Sequence, residues 1–273
     1  MIICIAGKNN IAVEIVEFIL ENKIVKKEKL YIIPNQTDNG IDSWQRSLIK
    51  YAKEKKLNIV TLDKVYNIEN LLFLSLEFDK IIKPTLFKTN KLFNIHFSLL
   101  PKYKGMFTSI IPILNNENKS GVTLHKIDKG IDTGDIIDQK EFNIAFTDNS
   151  RDLYFKYIKN GIELIKASIN KLISNQFNTK KQDILVSSYY SKNSIDFDNI
   201  SIELNQTAIN IHNQIRAFNF REYQIPQLFN TNIISSKILQ ISSNGKIGSI
   251  IIEDSISFTI KTINKPFAFV SCI

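Results

Sequence analysis

The order of apolar and polar positions predicts strands alternating with helices. Residues 2–6 form a short apolar run closed by Gly7, and residues 11–20, IAVEIVEFIL, carry apolar side chains at helical spacing. Apolar runs at 29–34, 57–62 and 71–76 predict a second, third and fourth strand, with a helix over 44–55 between the second and third. These runs lack polar alternation, as suits strands buried on both faces, so a parallel, doubly wound α/β sheet of Rossmann-like type is expected. The phosphate-binding pattern G-x-G-x-x-G is absent, since only Gly7 follows the first strand, which argues against a dinucleotide cofactor.

From residue 92 the texture changes. NIHFSLLPKYKG (94–105) reads as a strand end running into a loop, and 108–115 as a helix. Residues 121–128 and 135–142 read as two strands around the turn KGIDTG (129–134), and 150–175 as a long amphipathic helix with Ser150 and Asp152 near its start. The polar stretch NQFNTKKQD breaks the helical pattern, so a boundary is expected within 176–190. We divide the chain into a larger unit, 1–185, and a smaller C-terminal module, 186–273. The module is expected to hold a helix over 203–218, β-rich runs over 227–263, and a hairpin turn at SSNGK (242–246) with Asn-Gly at its centre.

Composition narrows the class. At 44% hydrophobic and 23% charged, the 273 residues are globular in type, which excludes a disordered chain. Two cysteines, Cys4 and Cys272, exclude a disulfide scaffold, and three scattered histidines give no metal-ligand spacing, so no metal is expected. No segment reaches the ~20 apolar residues of a membrane span, and the first residues, MIICIAGKNN, read as a strand rather than a leader; the expectation is a cytoplasmic protein with no membrane partner. The net charge of +8 raises a nucleic-acid reading. The lysines are spread rather than clustered, and no nucleic-acid partner is expected.

Three polar residues stand out. On a strand over 91–97, Asn94 and His96 point to the same face because strand side chains alternate with period two. Both lie at the carboxyl end of that strand, the edge where open α/β sheets bind ligands. Asp132 sits in the Gly-flanked turn G-I-D-T-G, which can return a carboxylate to the same edge. An amide, an imidazole and a carboxylate suit attack by an amine on a carbonyl: the first two hold an oxyanion, and the carboxylate orients the imidazole and moves the proton. On residue type alone a structural reading stays open, because an Asn-x-His at a strand end and an Asp in a Gly turn serve packing and turn formation in most proteins.

The two motifs together go further. N-I-H-F-S-L-L-P-K-Y-K-G, followed about 30 residues later by H-K-I-D-K-G-I-D-T-G-D-I-I, resembles the formyltransferases that use 10-formyltetrahydrofolate. The resemblance implies a formyltransferase core in the first unit, with Asn94, His96 and Asp132 as the catalytic set. Phe97 after the histidine, the loop KGMFTSIIPILN, and the later stretches YYSKNSIDF (189–197) and IRAFNFREYQIPQLF (215–229) are similar to the branch acting on nucleotide-linked amino sugars. That branch implies a dTDP-linked 3- or 4-amino-dideoxyhexose acceptor, a role in surface polysaccharide synthesis and a homodimer. The alternatives within reach are a methionyl-tRNA formyltransferase, which carries a larger C-terminal domain, and an inactive nucleotide-sugar binding module. The stretch SKNSIDF departs from the family's R-K-P-x-D-G-x-I-D-W, and IRAF lacks the usual P-x-P-G-A continuation; both bear on the sugar pocket.

The same resemblance implies a folate pocket after the fourth strand, at Ser75, Glu77, Phe78, Asp79 and Ile82. For the nucleotide-sugar we single out Lys8 and Asn9, which precede a helix whose N-terminus favours an anion. Lys102 and Met106 lie in the loop after the catalytic strand. Arg151 can pair with phosphate, Tyr154 can stack or hydrogen-bond, and Phe220 and Tyr223 can pack on a thymine ring or the hexose. His125, which opens the second motif, is read as supporting structure that strand alternation turns away from the site.

Overall fold

The structure is a computed structural model and describes residues 1–239, 244–254, 256–264 and 266–271, the last six by backbone. Cys272 and the first two residues of the SSNGK turn lie outside the described residues.

The chain divides into two compact units, each assembled from separate stretches of sequence. The first takes residues 1–105, 121–142 and 156–189; the second takes 106–120, 143–155 and 190–273. A single break at 185/186 does not describe them, because 106–120 and 143–155 also go to the second unit.

The first unit is built on β1 (Ile2–Gly7), β2 (Leu30–Pro34), β3 (Asn58–Ile59), β4 (Leu71–Leu76), β5 (Leu92–His96), β7 (Lys119–Lys126) and β8 (Ile136–Asn143). β6 (Lys104–Gly105) and β9 (Tyr189–Tyr190) are two-residue strands outside this sheet. The sheet order is β3-β2-β1-β4-β5-β7-β8. Pairing is parallel from β3 to β5 and turns antiparallel at β5–β7. β4, LLFLSL, is buried at all six positions, as suits a run that is apolar at every position but Ser75. The helix α1 (Asn9–Glu21) buries Ile11, Ala12, Val13, Ile15, Val16 and Ile19.

Three predicted elements come out shorter. The helix expected over 44–55 is α2 (Leu48–Glu54). Residues 42–47 make a polar turn instead, with Asp42 accepting from the Ser47 N–H and Ser47 capping the helix by accepting from the Lys50 N–H. The third strand is only β3, an exposed edge pair, and Leu62 opens a one-turn helix, α3 (Leu62–Tyr66). The helix expected over 108–115 is α4 (Ile111–Leu114), a single turn.

The long helix α5 (Ser150–Ser174) begins where Asn149 and Asp152 exchange side-chain-to-backbone hydrogen bonds, a reciprocal cap. Within the first unit its Tyr157 is fully buried, stacked on Phe97 at 5.3 Å and edge-on to Phe142.

The second unit holds α6 (Ala208–Ala217) and a five-stranded sheet of β10 (Gln227–Leu228), β11 (Thr231–Ile238), β12 (Ile250–Glu253), β13 (Ser257–Lys261) and β14 (Pro266–Ser271), ordered β10-β11-β14-β13-β12. Ile211 and Ile215 of α6 pack with Ile202, Leu228, Ile233, Phe258 and Ile260 in one apolar core. The β-rich tail is thus an antiparallel sheet that runs beyond 263 to residue 271.

Candidate active site

Asn94 and His96 occupy alternate positions of β5, and β7 lies antiparallel beside it with Asn94 directly opposite His125. Directly opposed residues share a face of the sheet, so this register brings His125 to Asn94. The expectation that strand alternation turns His125 away is therefore wrong: it treats β7 alone, whereas the cross-strand pairing sets which face meets the site. Asp132 arrives from the connection between β7 and β8 in a left-handed backbone conformation, φ +55°. For a non-glycine residue that conformation costs ~1 kcal/mol and persists only where the surroundings hold it.

Four groups converge on the Asp132 carboxylate. The Gly105 N–H donates to Oδ2 at 2.9 Å, and His96 Nδ1 lies 3.4 Å from the same oxygen. The other oxygen, Oδ1, lies 3.4 Å from Asn94 Nδ2 and 3.5 Å from His125 Nε2. Burial alone would raise the Asp132 pKa, but the two imidazoles in their charged forms and the Gly105 N–H outweigh it and hold the carboxyl well below the usual carboxylate range. His96 is 7% exposed, and burial pushes its pKa below the ordinary value against the opposing pull of Asp132.

Hydrogen-bond partners define the tautomers. His96 Nε2 lies 2.8 Å from the Tyr103 carbonyl oxygen, which can only accept, so Nε2 carries the proton and the neutral ring turns its Nδ1 lone pair toward Asp132. His125 Nδ1 faces the Lys126 carbonyl at 2.7 Å, so its Nε2 is the acceptor, and Asn94 Nδ2 donates to it at 3.1 Å. That contact sets which way the Asn94 amide points. Because His125 Nε2 and Asp132 Oδ1 are themselves 3.5 Å apart, they subtend far less than the ~120° between the two amide N–H bonds. One N–H therefore spans both acceptors, which leaves the second outside this pair.

The remaining expected site residues fall into two groups. In the first unit Ser75, buried on β4, pairs in register with Asn94. Glu77 and Asn9 are both left-handed, φ +55° and +63°, and are tied by a bond from Asn9 Nδ2 to the Glu77 carboxylate at 3.2 Å. Asp79 accepts from the Gln36 N–H, and the Lys8 N–H donates to the Leu76 carbonyl. Phe78 and Ile82 pack in an apolar cluster with Leu92 and Ile127. Leu92 and Ile127 also line a cavity of about 380 Å³ bounded by Pro84, Thr89, Asn90, Lys126, Asp128, Gly134 and Asp135. Lys102 contributes its carbonyl, which accepts from Ser98 Oγ at 2.7 Å and shapes the loop carrying Tyr103.

In the second unit, Arg151 lies over the Phe155 ring and pairs through Nε with both oxygens of Glu222. Tyr154, Phe220 and Tyr223 form a chain of edge-on and tilted rings at 5.6 and 4.9 Å. Met106 is 45% exposed, and its N–H donates to the Tyr190 carbonyl. Glu222, the partner of Arg151, has no sequence signal beyond its place in the FREYQ stretch. Among the described residues no group of His, Cys, Asp and Glu could hold a metal ion.

Comparison with known proteins agrees with this geometry. The family model described as formyl transferase matches residues 3–169. A crystal structure of WlaRD, a sugar 3N-formyl transferase in the presence of dTDP and 5-N-formyl-THF, superposes with a TM-score of 0.92 at 49% identity, covering 99% of this chain and 97% of that one. The N-formyltransferase from Helicobacter canadensis, in complex with folinic acid and dTDP-3-aminofucose, gives 0.91 at 48% identity over 99% of both chains. Among curated sequences, a methionyl-tRNA formyltransferase of Staphylococcus epidermidis is 31% identical over 169 residues. The chain spans 24 to 57% of the length of the first curated relatives it matches. The paired motifs, the constellation around Asp132 and the match over 3–169 place this chain in the formyl transferase family.

Proposed function

We propose that the protein transfers a formyl group from 10-formyltetrahydrofolate to the amine of a dTDP-linked amino-dideoxyhexose. The observation that carries the reading is the Asn94–His96–Asp132 constellation, joined to 49% identity along nearly the whole chain with a sugar 3N-formyl transferase. That relative and the one complexed with dTDP-3-aminofucose favour an amine at C3 over C4. The 380 Å³ cavity beside the Asp132 turn has the size of a small-ligand pocket, and we assign it to the folate ring. We assign Arg151, Tyr154, Phe220 and Tyr223 to the nucleotide-sugar. We further propose a cytoplasmic homodimer serving surface polysaccharide synthesis. No helix among the described residues is long and apolar enough to cross a membrane.

The geometry supports the following chemistry. The neutral sugar amine attacks the formyl carbon, a C–N bond forms, and the carbonyl oxygen becomes an oxyanion held by the second N–H of Asn94. His96 Nδ1, with its lone pair beside Asp132, takes the amine proton; the resulting imidazolium is stabilised by the carboxylate. As the intermediate collapses, the bond to the folate nitrogen breaks and the proton passes to that nitrogen.

The test is a panel of dTDP- and UDP-linked 3-amino- and 4-amino-dideoxyhexoses incubated with 10-formyltetrahydrofolate, read by mass spectrometry. Formylation of a dTDP-3-amino sugar is expected, with His96→Ala and Asp132→Asn folded but at least ~10³-fold slower. Formylation of initiator methionyl-tRNA with no sugar accepted would replace this reading by the tRNA one; binding of the sugar and folate with no turnover would make the chain a binding module.

A further inference from the structure

Asp132 performs its role from a loop, not from a strand, so something must hold that loop in its left-handed form. The carboxylate contacts position the side chain, and the backbone is held from the other side. Gln182 Nε2 donates one hydrogen bond to the Asp132 carbonyl and another to the Gly134 carbonyl, each at 2.8 Å. One amide nitrogen thus spends both of its N–H groups on two carbonyls of the same turn, with Asp132 at one end.

The segment bearing Gln182 is itself fixed to the same edge. Lys180 and Ile136 exchange reciprocal backbone hydrogen bonds at 2.8 Å, which sets residues 179–182 alongside 132–136. Thr179 Oγ1 lies 3.4 Å from the Asp135 carboxylate, a further tie along the same run. On the opposite side, Gly134 presses against the chain: a Cβ there would lie 1.8 Å from the Lys126 carbonyl oxygen. The turn is therefore confined between β7 and the Gln182 amide. Gln182 Oε1 is buried with no hydrogen-bond partner among the described residues, so the side chain makes its contacts here through its donors.

We infer that Gln182 is a positioning residue for formyl transfer, a clamp that holds the Asp132 turn so that its carboxylate faces His96 and Asn94. It touches no reacting atom and acts through Asp132. The inference rests on the formyl-transfer reading above. Misplacing a catalytic group by ~1 Å can cost ~10²-fold in rate, so the clamp is expected to appear in kcat and not in binding.

The test uses Gln182→Met, which keeps the length and removes both donors, in the full chain. Three readouts are taken: the kcat and KM split, the thermal midpoint, and the titration of His96 followed by NMR on its ring protons. The groups facing His96 are Asp132, His125, Lys104 and the Tyr103 carbonyl, and of these only Asp132 is released by the substitution. Expected are a kcat loss of about 10- to 100-fold, KM for both substrates within about threefold, and a thermal midpoint close to the unsubstituted protein. The His96 titration is expected to move to lower pH as the carboxylate that favours its charged form drifts off. A kcat within twofold, or a KM rise that accounts for the whole loss, overturns the clamp; so does an unshifted His96 titration. If Gln182→Met and Gln182→Ala both fail to fold, the residue is structural and the inference falls. An inactive unsubstituted protein would count against the formyl-transfer reading alone, because the His96 titration needs no substrate.

Discussion

Asp132 lies 3.4 Å from His96 in a buried cluster, and the pH response of its carboxyl has a definite sign. Asp132 has its carboxyl held below the ordinary range in the folded chain and near ~3.9 when unfolded. A depressed acid of this kind contributes stability that is present above the unfolded value and is lost as pH falls toward the folded one. Asp132→Asn removes the group and with it this loss. The gap in urea midpoint between the two proteins is therefore expected to be largest at neutral pH and to close as pH falls from about 4 to 2. A gap that stays constant over that window would show that the carboxylate is not stabilised in the fold. The convergence of Asn94, His96 and Asp132 is legible in the sequence through the two paired motifs, with period-two alternation and a Gly-flanked turn as its local reason. His125 and Gln182 were not, because each reaches the site through pairing with a segment distant in sequence: His125 through the β5–β7 register, Gln182 through the bridge at Lys180–Ile136.

Strands and helices were legible where burial is uniform and blurred where polar side chains compete with the backbone. β4 coincides with its apolar run, whereas α2 starts late because Asp42 and Ser47 divert the preceding turn. Gly7 shows what a sequence reading sees only in part. It ends the first apolar run, but its necessity comes from the neighbouring strand: it pairs with Leu76, and a Cβ on it would lie 1.9 Å from the Leu76 carbonyl oxygen. No side chain can give way there, because the obstacle is backbone. Gly7→Ala is expected to push β1 from β4 and to cost on the order of 3 kcal/mol, read as a lowered urea midpoint at unchanged slope. A change below ~0.5 kcal/mol would mean that β1 can shift without loss. The same displacement would disturb Ser75, and hence the strand pairing that carries Asn94, so formylation is expected to fall with stability.

For the chain as a whole, size and charge excluded classes without defining the units. The interleaving of 106–120 and 143–155 with the second unit has no compositional mark, because those stretches are separated from the tail by strands and helices of the first unit. The +8 charge, first a sign of nucleic acid, is equally suited to two anionic small molecules, a diphosphate sugar and a folate. The proposed homodimer can be tested at the edges of the second unit's sheet. One edge, β10, has two residues, too few to invite a partner. The other, β12, is IIIE, with Ile250 38% and Ile252 54% exposed; it carries no lysine or proline, and Glu253 and a register break between Ile250 and Ile252 blunt it only in part. If the proposed homodimer covers that edge with the same edge of a second copy, the contact is closed and twofold. Light scattering at micromolar concentration is expected to give twice the 31.4 kDa chain mass, and Ile252→Lys to give the single chain mass. A monomeric unsubstituted protein would remove the homodimer, and a dimer that survives Ile252→Lys would place its interface away from β12.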